Sequence, residues 1–212
     1  AKELRRLQKL SLETQTTTIK TVEDLQKKES KNNSLAFVLG NGTSRRPIDP
    51  VDLKKYGTIY GCNALYRSFT PDYLIAVDSK MIYEIAKTGY QLENPVWTNP
   101  NKSYNKFTGF NFFKPSKGWS SGPTALYLAS THQYEHIYIL GFDYKGLDDG
   151  KLVNNMYSGT QNYKKIGEKA TFFGNWLKQT ITVIKENPKT KYTRVIFRDG
   201  HIPKDLVGIN NL

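Results

Sequence analysis

The chain has one cysteine, Cys62, among 212 residues, so no intramolecular disulfide can form. Histidine is also scarce: His132, His136 and His201 are the full set. Together these residues make no metal-ligand spacing, and no metal site is expected. No apolar run approaches the ~18 residues of a membrane-spanning helix. The start, Ala1-Lys2-Glu3-Leu4-Arg5-Arg6, lacks the apolar centre of a secretory signal. These absences lead us to expect a soluble, cytoplasmic protein. A long Lys/Arg block is missing too, although 31 basic residues face 19 acidic ones, a net charge of +12. That surplus favours anionic partners. A solvated basic surface is the favoured explanation, and nucleic-acid binding stays open without a motif.

Residues 1–33 differ from the rest. They are polar and contain neither glycine nor proline. Leu4, Leu7 and Leu10 share a helical face, which predicts a helical arm that either packs on the domain or docks a partner or second copy. From Ser34 to the end, residues 34–212, hydrophobic runs alternate with helical patterns. Strands are expected at Leu35–Leu39, Thr58–Asn63, Tyr73–Val77, Pro95–Thr98, Ile137–Leu140 and Thr193–Phe197. Helices are expected at Pro47–Lys55, from a cap at Ser79 to about Lys87, stopped by Gly89, and from Ser121 to Ser130. Ile166, Ala170, Phe173, Leu177, Ile181 and Ile184 recur at helical spacing and predict a long amphipathic helix. The Asn99–Gly118 stretch reads as a hairpin or a lid. The alternation implies an α/β, Rossmann-like domain: a mostly parallel sheet with helices on both faces.

In such sheets ligands bind beyond the carboxyl ends of the strands. Two glycine-bearing turns fall there. Gly40-Asn41-Gly42-Thr43-Ser44 follows the first strand, and Ser120-Ser121-Gly122-Pro123 opens a helix. Small residues admit close ligand approach, and free N–H groups at a helix start attract phosphate. The first turn lacks the Gly-Lys-Ser/Thr ending of a P-loop. Arg45 and Arg46 either reach a phosphate or face solvent. Asn63 suits a base or a sugar. Asp78 suits a ribose hydroxyl, Mg²⁺ or a general base, or merely accompanies a helix start. Asp143 and Tyr144 end a very apolar strand, where Asp143 is expected to orient the second turn. Tyr157-Ser158-Gly159-Thr160 reads either as a lid or as a plain connection.

Taken in order, Gly40–Ser44, Gly61-Cys62-Asn63-Ala64-Leu65-Tyr66, Ser120–Gly122 and Ile137-Tyr138-Ile139-Leu140-Gly141-Phe142-Asp143-Tyr144 resemble the bacterial lipooligosaccharide sialyltransferases. With Pro71-Asp72-Tyr73-Leu74-Ile75-Ala76-Val77-Asp78, the pattern also looks like the motility accessory factors and archaeal pterin diphosphokinases. The resemblance runs from Leu35 to Tyr144. It implies a glycosyltransferase taking a CMP-sugar type of nucleotide-activated donor, with Asn41, Asn63, Ser121 and Gly122 on the nucleotide, and an unspecified acceptor. The diphosphokinase alternative implies Mg²⁺ and ATP, with Asp78 suited to the metal. A third alternative is a non-catalytic module docking through residues 1–33. The sialyltransferases carry a catalytic histidine after the Asp-Tyr strand. Here no histidine lies between His136 and His201, and Gly118-Trp119 stands where that family has an arginine.

Overall fold

The computed structural model describes residues 34–196, 200–206 and 210–211. The expected arm at residues 1–33 lies outside them. Eight strands form one sheet: β1 (Leu35–Leu39), β2 (Thr58–Cys62), β3 (Tyr73–Ile75), β4 (Val96–Thr98), β5 (Phe110–Phe112), β6 (His136–Leu140), β7 (Lys191–Val195) and β8 (Asn210–Asn211). Every pairing is parallel, in the order β5-β4-β3-β2-β1-β6-β7-β8. The helices are α1 (Pro50–Lys54), α2 (Ser79–Thr88), α3 (Tyr90–Glu93), α4 (Ser121–Thr131) and α5 (Gly174–Glu186).

The central strand β1 is buried along its whole length, which is why it reads as an unbroken apolar run. Its odd residues Leu35, Phe37 and Leu39 pack with Leu53 of α1 and Met81, Ile82 and Ile85 of α2. Its even residues Ala36 and Val38 meet Ala125, Leu126 and Ala129 of α4 and Val183 of α5 on the other face. Each large side chain buried this way contributes roughly 1.5–3 kcal/mol. The chain builds β1 to β5 outward in one direction, crosses back through α4, and lays β6 on the opposite side of β1. The strand order therefore reverses between β1 and β6, the place where such folds open a crevice.

Several boundaries differ from those the sequence suggests. The Asn99–Gly118 stretch holds the edge strand β5, not a hairpin. The long helix begins at Gly174, well after Ile166. Gly167 has φ +84°, and residues 151–153 pair with residues 168–170 before the helix starts. The periodic apolar positions Ile166 and Ala170 thus belong to the connection. Ser79 does not cap α2. Asp78 holds the cap position, and Ser79 bonds Tyr104 Oη at 2.9 Å. At the other end Gly89, with φ +74°, closes α2 in the left-handed conformation glycine permits.

Candidate functional site

The glycines of the first turn serve the approach of backbone to backbone. Gly40 N–H donates to Leu140 O at 2.8 Å and Gly42 N–H to Gly141 O at 2.9 Å, carrying the β1–β6 ladder past the strand ends. A Cβ on Gly40 would lie 2.6 Å from Gly141 O, and one on Gly141 2.7 Å from Gly40 O. A Cβ on Gly42 would collide with the Asp143 carboxylate. Glycine is required here by protein packing, whatever the ligand.

Asp143 fixes this first turn rather than the second. Its Oδ2 accepts from Ser44 N–H at 3.1 Å and Asn154 Nδ2 at 3.0 Å, and its Oδ1 accepts from Ser44 Oγ. Asn154 Oδ1 accepts from Thr43 N–H at 2.9 Å and Thr43 Oγ1 at 2.7 Å. The N–H groups of Gly40, Gly42, Thr43 and Ser44 are all spent on protein acceptors. Thr43 and Ser44, expected at a phosphate, are turned to Asn154 and Asp143 and stand outside the crevice lining.

The crevice, about 710 Å³, opens at the carboxyl edge of the sheet. It brings together Gly40, Asn41, Gly42, Asn63, Asp78, Ser120, Ser121, Gly122, Asp143 and Tyr144 from across half the chain. Asn63 has φ +51°, a conformation asparagine tolerates better than most residues. Its Oδ1 accepts from Ser121 Oγ at 2.8 Å, and Ser121 Oγ accepts from Val77 N–H at 3.2 Å. Ser121 is therefore a bridge between β2 and β3 ends and not a helix cap. The cap position of α4 is Ser120, and its side chain makes no capping bond. Pro123 has no N–H, so the orphan donors of this helix start are the Ser121 and Gly122 amides. A Cβ on Gly122 would lie 3.1 Å from the Phe142 ring.

Asn41 is only 8 % exposed. Its Nδ2 donates to Cys62 O at 3.1 Å and to Tyr163 Oη at 3.5 Å, while its buried Oδ1 has no partner among the described residues. A buried acceptor without a donor costs ~1–3 kcal/mol, a penalty a bound donor removes. Tyr163 Oη also accepts from Ala64 N–H at 3.3 Å, so its own proton remains to be given elsewhere. Cys62 lines the crevice as well, but burial pushes its thiol up to about 12, which keeps it protonated and unreactive.

Asp78 sits at the cap position of α2 without capping it. Its carboxylate is exposed within the crevice, where the surrounding wall still desolvates it enough to raise its pKa above 3.8. Tyr144 is buried, with its hydroxyl donating to Thr180 Oγ1 at 2.7 Å. Burial raises its pKa, so it is a neutral wall residue.

The charge balance around the crevice is positive. Arg45, 3 % exposed, donates from Nε to Gly40 O at 2.7 Å and leaves its Nη2 without a partner. It does not face solvent, as one reading of the sequence has it. Arg194, 2 % exposed, donates from Nη1 to Phe142 O at 3.0 Å and from Nη2 to His201 O. Neither forms a salt bridge among the described residues. Burial lowers the pKa of Arg194, with Tyr144 and Asp143 opposing that shift. Lys80, Lys145 and Lys164 also line the crevice, against Asp78 and Asp143.

The β6–α5 crossover borders the crevice, but through other residues than those expected. Tyr157, Ser158, Gly159 and Thr160 are outside the lining, while Asn154, Asn155, Asn162, Tyr163 and Lys164 are in it. Nothing in spacing singled these out. The Asn154-Asn155 pair and Tyr163, polar hydrogen-bonding residues in a loop after the Asp143 strand, were the available signal. Met156 N–H donates to Asn41 O at 2.8 Å, and Arg67 donates to Thr160 Oγ1 at 2.9 Å and Gln161 O at 2.9 Å. Glu84 accepts from Arg67, Tyr66 Oη and Asn162 Nδ2 at 2.6–2.7 Å. The crossover is thus latched to α2 and to the turn after β2.

Among the described residues no three His, Cys, Asp or Glu side chains gather as a metal site, and no helix is long and apolar enough to cross a membrane. The fold is a Rossmann-like α/β arrangement, with its crevice at a topological switch point. Neither the family models, nor the curated proteins, nor the solved structures include a match to this chain.

Proposed function

We propose that the crevice binds a nucleotide-activated sugar and that the protein is a glycosyltransferase. The observation that carries this reading is the unpartnered Asn41 Oδ1, buried just beyond the carboxyl end of β1, in a side chain bonded to Cys62 O, the residue before Asn63. In this reading Asn41 Oδ1 accepts from the nucleoside. The Ser121 and Gly122 amides hold the phosphate, and Arg45, bonded to Gly40 O, and Arg194, bonded to Phe142 O, add positive charge nearby. An acceptor hydroxyl attacks the anomeric carbon as the bond from that carbon to the phosphate oxygen breaks. The nucleotide leaves with the bonding pair, and the hydroxyl proton passes to Asp78. The sequence resemblance supports a cytidine nucleotide. It implies a histidine base that this chain lacks, and Asp78 is the carboxylate at hand.

Calorimetry with CMP, CDP, UDP, GDP and ATP tests this. Binding of at least one cytidine nucleotide without metal is expected, with Asn41→Ala weakening it by tenfold or more. Asp78→Asn should keep that affinity and lose donor hydrolysis. No binding by any of the five at millimolar concentration would end the proposal. Mg²⁺-dependent ATP binding that disappears in Asp78→Asn would favour the diphosphokinase alternative, in which Asp78 and the phosphates hold the metal.

A further inference from the structure

The chain that borders the crevice also holds apolar side chains out in solvent. Ile166 is 82 % exposed and Phe172 74 %, and Leu147, Trp176 and Ile202 are open too. They are joined by ordered backbone. Val153 N–H donates to Glu168 O at 2.9 Å and Ala170 N–H to Lys151 O at 2.8 Å, while Leu147 and Lys169 both bridge to Leu152. This pairing sets Leu147 beside the strand that leads into Phe172. Phe172 stacks on Phe173, whose ring meets His201, the neighbour of Ile202. Ile166 stands at the far end beside Gly159.

Large apolar side chains exposed along one run of chain in this number point to a surface that has a partner. Its polar content says which. From Lys145 to Lys178 the chain has six lysines and three acidic residues, and Asp149, one of the three, is paired with Lys145 at 3.2 Å. All six lysines are exposed. Lysine is depleted in interfaces between proteins. Exposed Phe, Ile, Leu and Trp interspersed with lysine is instead the composition of surfaces that lie in a lipid headgroup layer.

We propose that this strip seats the protein on an anionic membrane surface. Phe172, Ile166 and Leu147 enter the headgroup layer, and Lys151, Lys165 and Lys169, which lie outside the crevice lining, meet the negative lipid. Ala170, Thr171, Phe173 and Trp176 line the crevice from the same run of chain, so this seat adjoins the crevice. The inference stands independently of what the crevice binds.

Co-sedimentation of the full chain with vesicles tests it. Binding is expected to phosphatidylcholine vesicles containing phosphatidylglycerol and not to phosphatidylcholine alone, weakening as salt rises. The double variant Ile166→Ser/Phe172→Ser should retain the wild-type circular dichroism and bind at least tenfold less. Ile166→Ser alone, at the most exposed position, provides the same test with less risk to folding. Lys165→Glu/Lys169→Glu should also bind less. Failure to sediment with anionic vesicles at low salt would overturn the proposal. So would serine variants that bind like the wild type, because the +12 charge alone would then account for binding. A concentration-dependent dimer abolished by the serine variants, without vesicle binding, would assign the strip to a second copy and overturn it as well.

Discussion

At the scale of single residues, two glycines that look alike in the sequence have different jobs. Gly40 touches Gly141 O so closely that any Cβ must displace backbone, whereas Gly122 faces the edge of a Phe142 ring that can shift. Gly40→Ala should therefore destabilise the fold by about 1–3 kcal/mol, an overpacking cost. Gly122→Ala should cost less, and should weaken nucleotide binding if the Gly122 amide holds phosphate. Thermal unfolding of the two variants checks the order, and the reverse order would contradict the packing account. The same contrast separates what was legible from what was not. Asn41, Asn63 and Ser121 could be placed at strand ends from the sequence, because parallel topology brings strand ends together. That Thr43 and Ser44 turn away could not, because Thr43 is held by Asn154, 111 residues later in a loop, and Ser44 by Asp143, 99 residues later.

At the scale of elements, the latch on the β6–α5 crossover decides how the crevice is walled. Burial alone would raise the pKa of Glu84. The bonds from Arg67, Tyr66 and Asn162 outweigh it and hold the carboxyl below 4.5. A carboxyl lowered in the folded state contributes stability above its unfolded pKa and loses it as pH falls through the folded value. The latch should therefore be intact at neutral pH, begin to lose its contribution below 4.5, and release as pH falls through the lowered folded value. Glu84→Gln should remove about 1–2 kcal/mol, between a surface pair and a charge-assisted bond in the interior. Hydrogen exchange at residues 160–163 should rise in that variant while β1 and β6 stay protected. Unchanged exchange there would show the crossover held by other contacts. The elements themselves were largely legible, since β1, β2, β3, β6 and α2 announce themselves by apolar runs and helix stops. The start of α5 was not. Gly167 and the pairing of residues 151–153 with 168–170 override the helical spacing of Ile166 and Ala170.

At the scale of the whole molecule, one reversal of strand order creates the crevice, and the charge around it suits an anion. Two buried arginines and three lining lysines exceed the two lining aspartates. The sequence gives the surplus of +12 but not its concentration behind Gly40 and Phe142, which follows only from the folded chain. The central claim is that this crevice is a nucleotide site. A crystal structure after soaking with CMP tests it most directly. The account predicts the nucleoside beside Asn41 Oδ1 and the phosphate on the Ser121 and Gly122 amides. Nucleotide bound away from the β1–β6 switch point, or bound there with Asn41 Oδ1 still unpartnered, would contradict it.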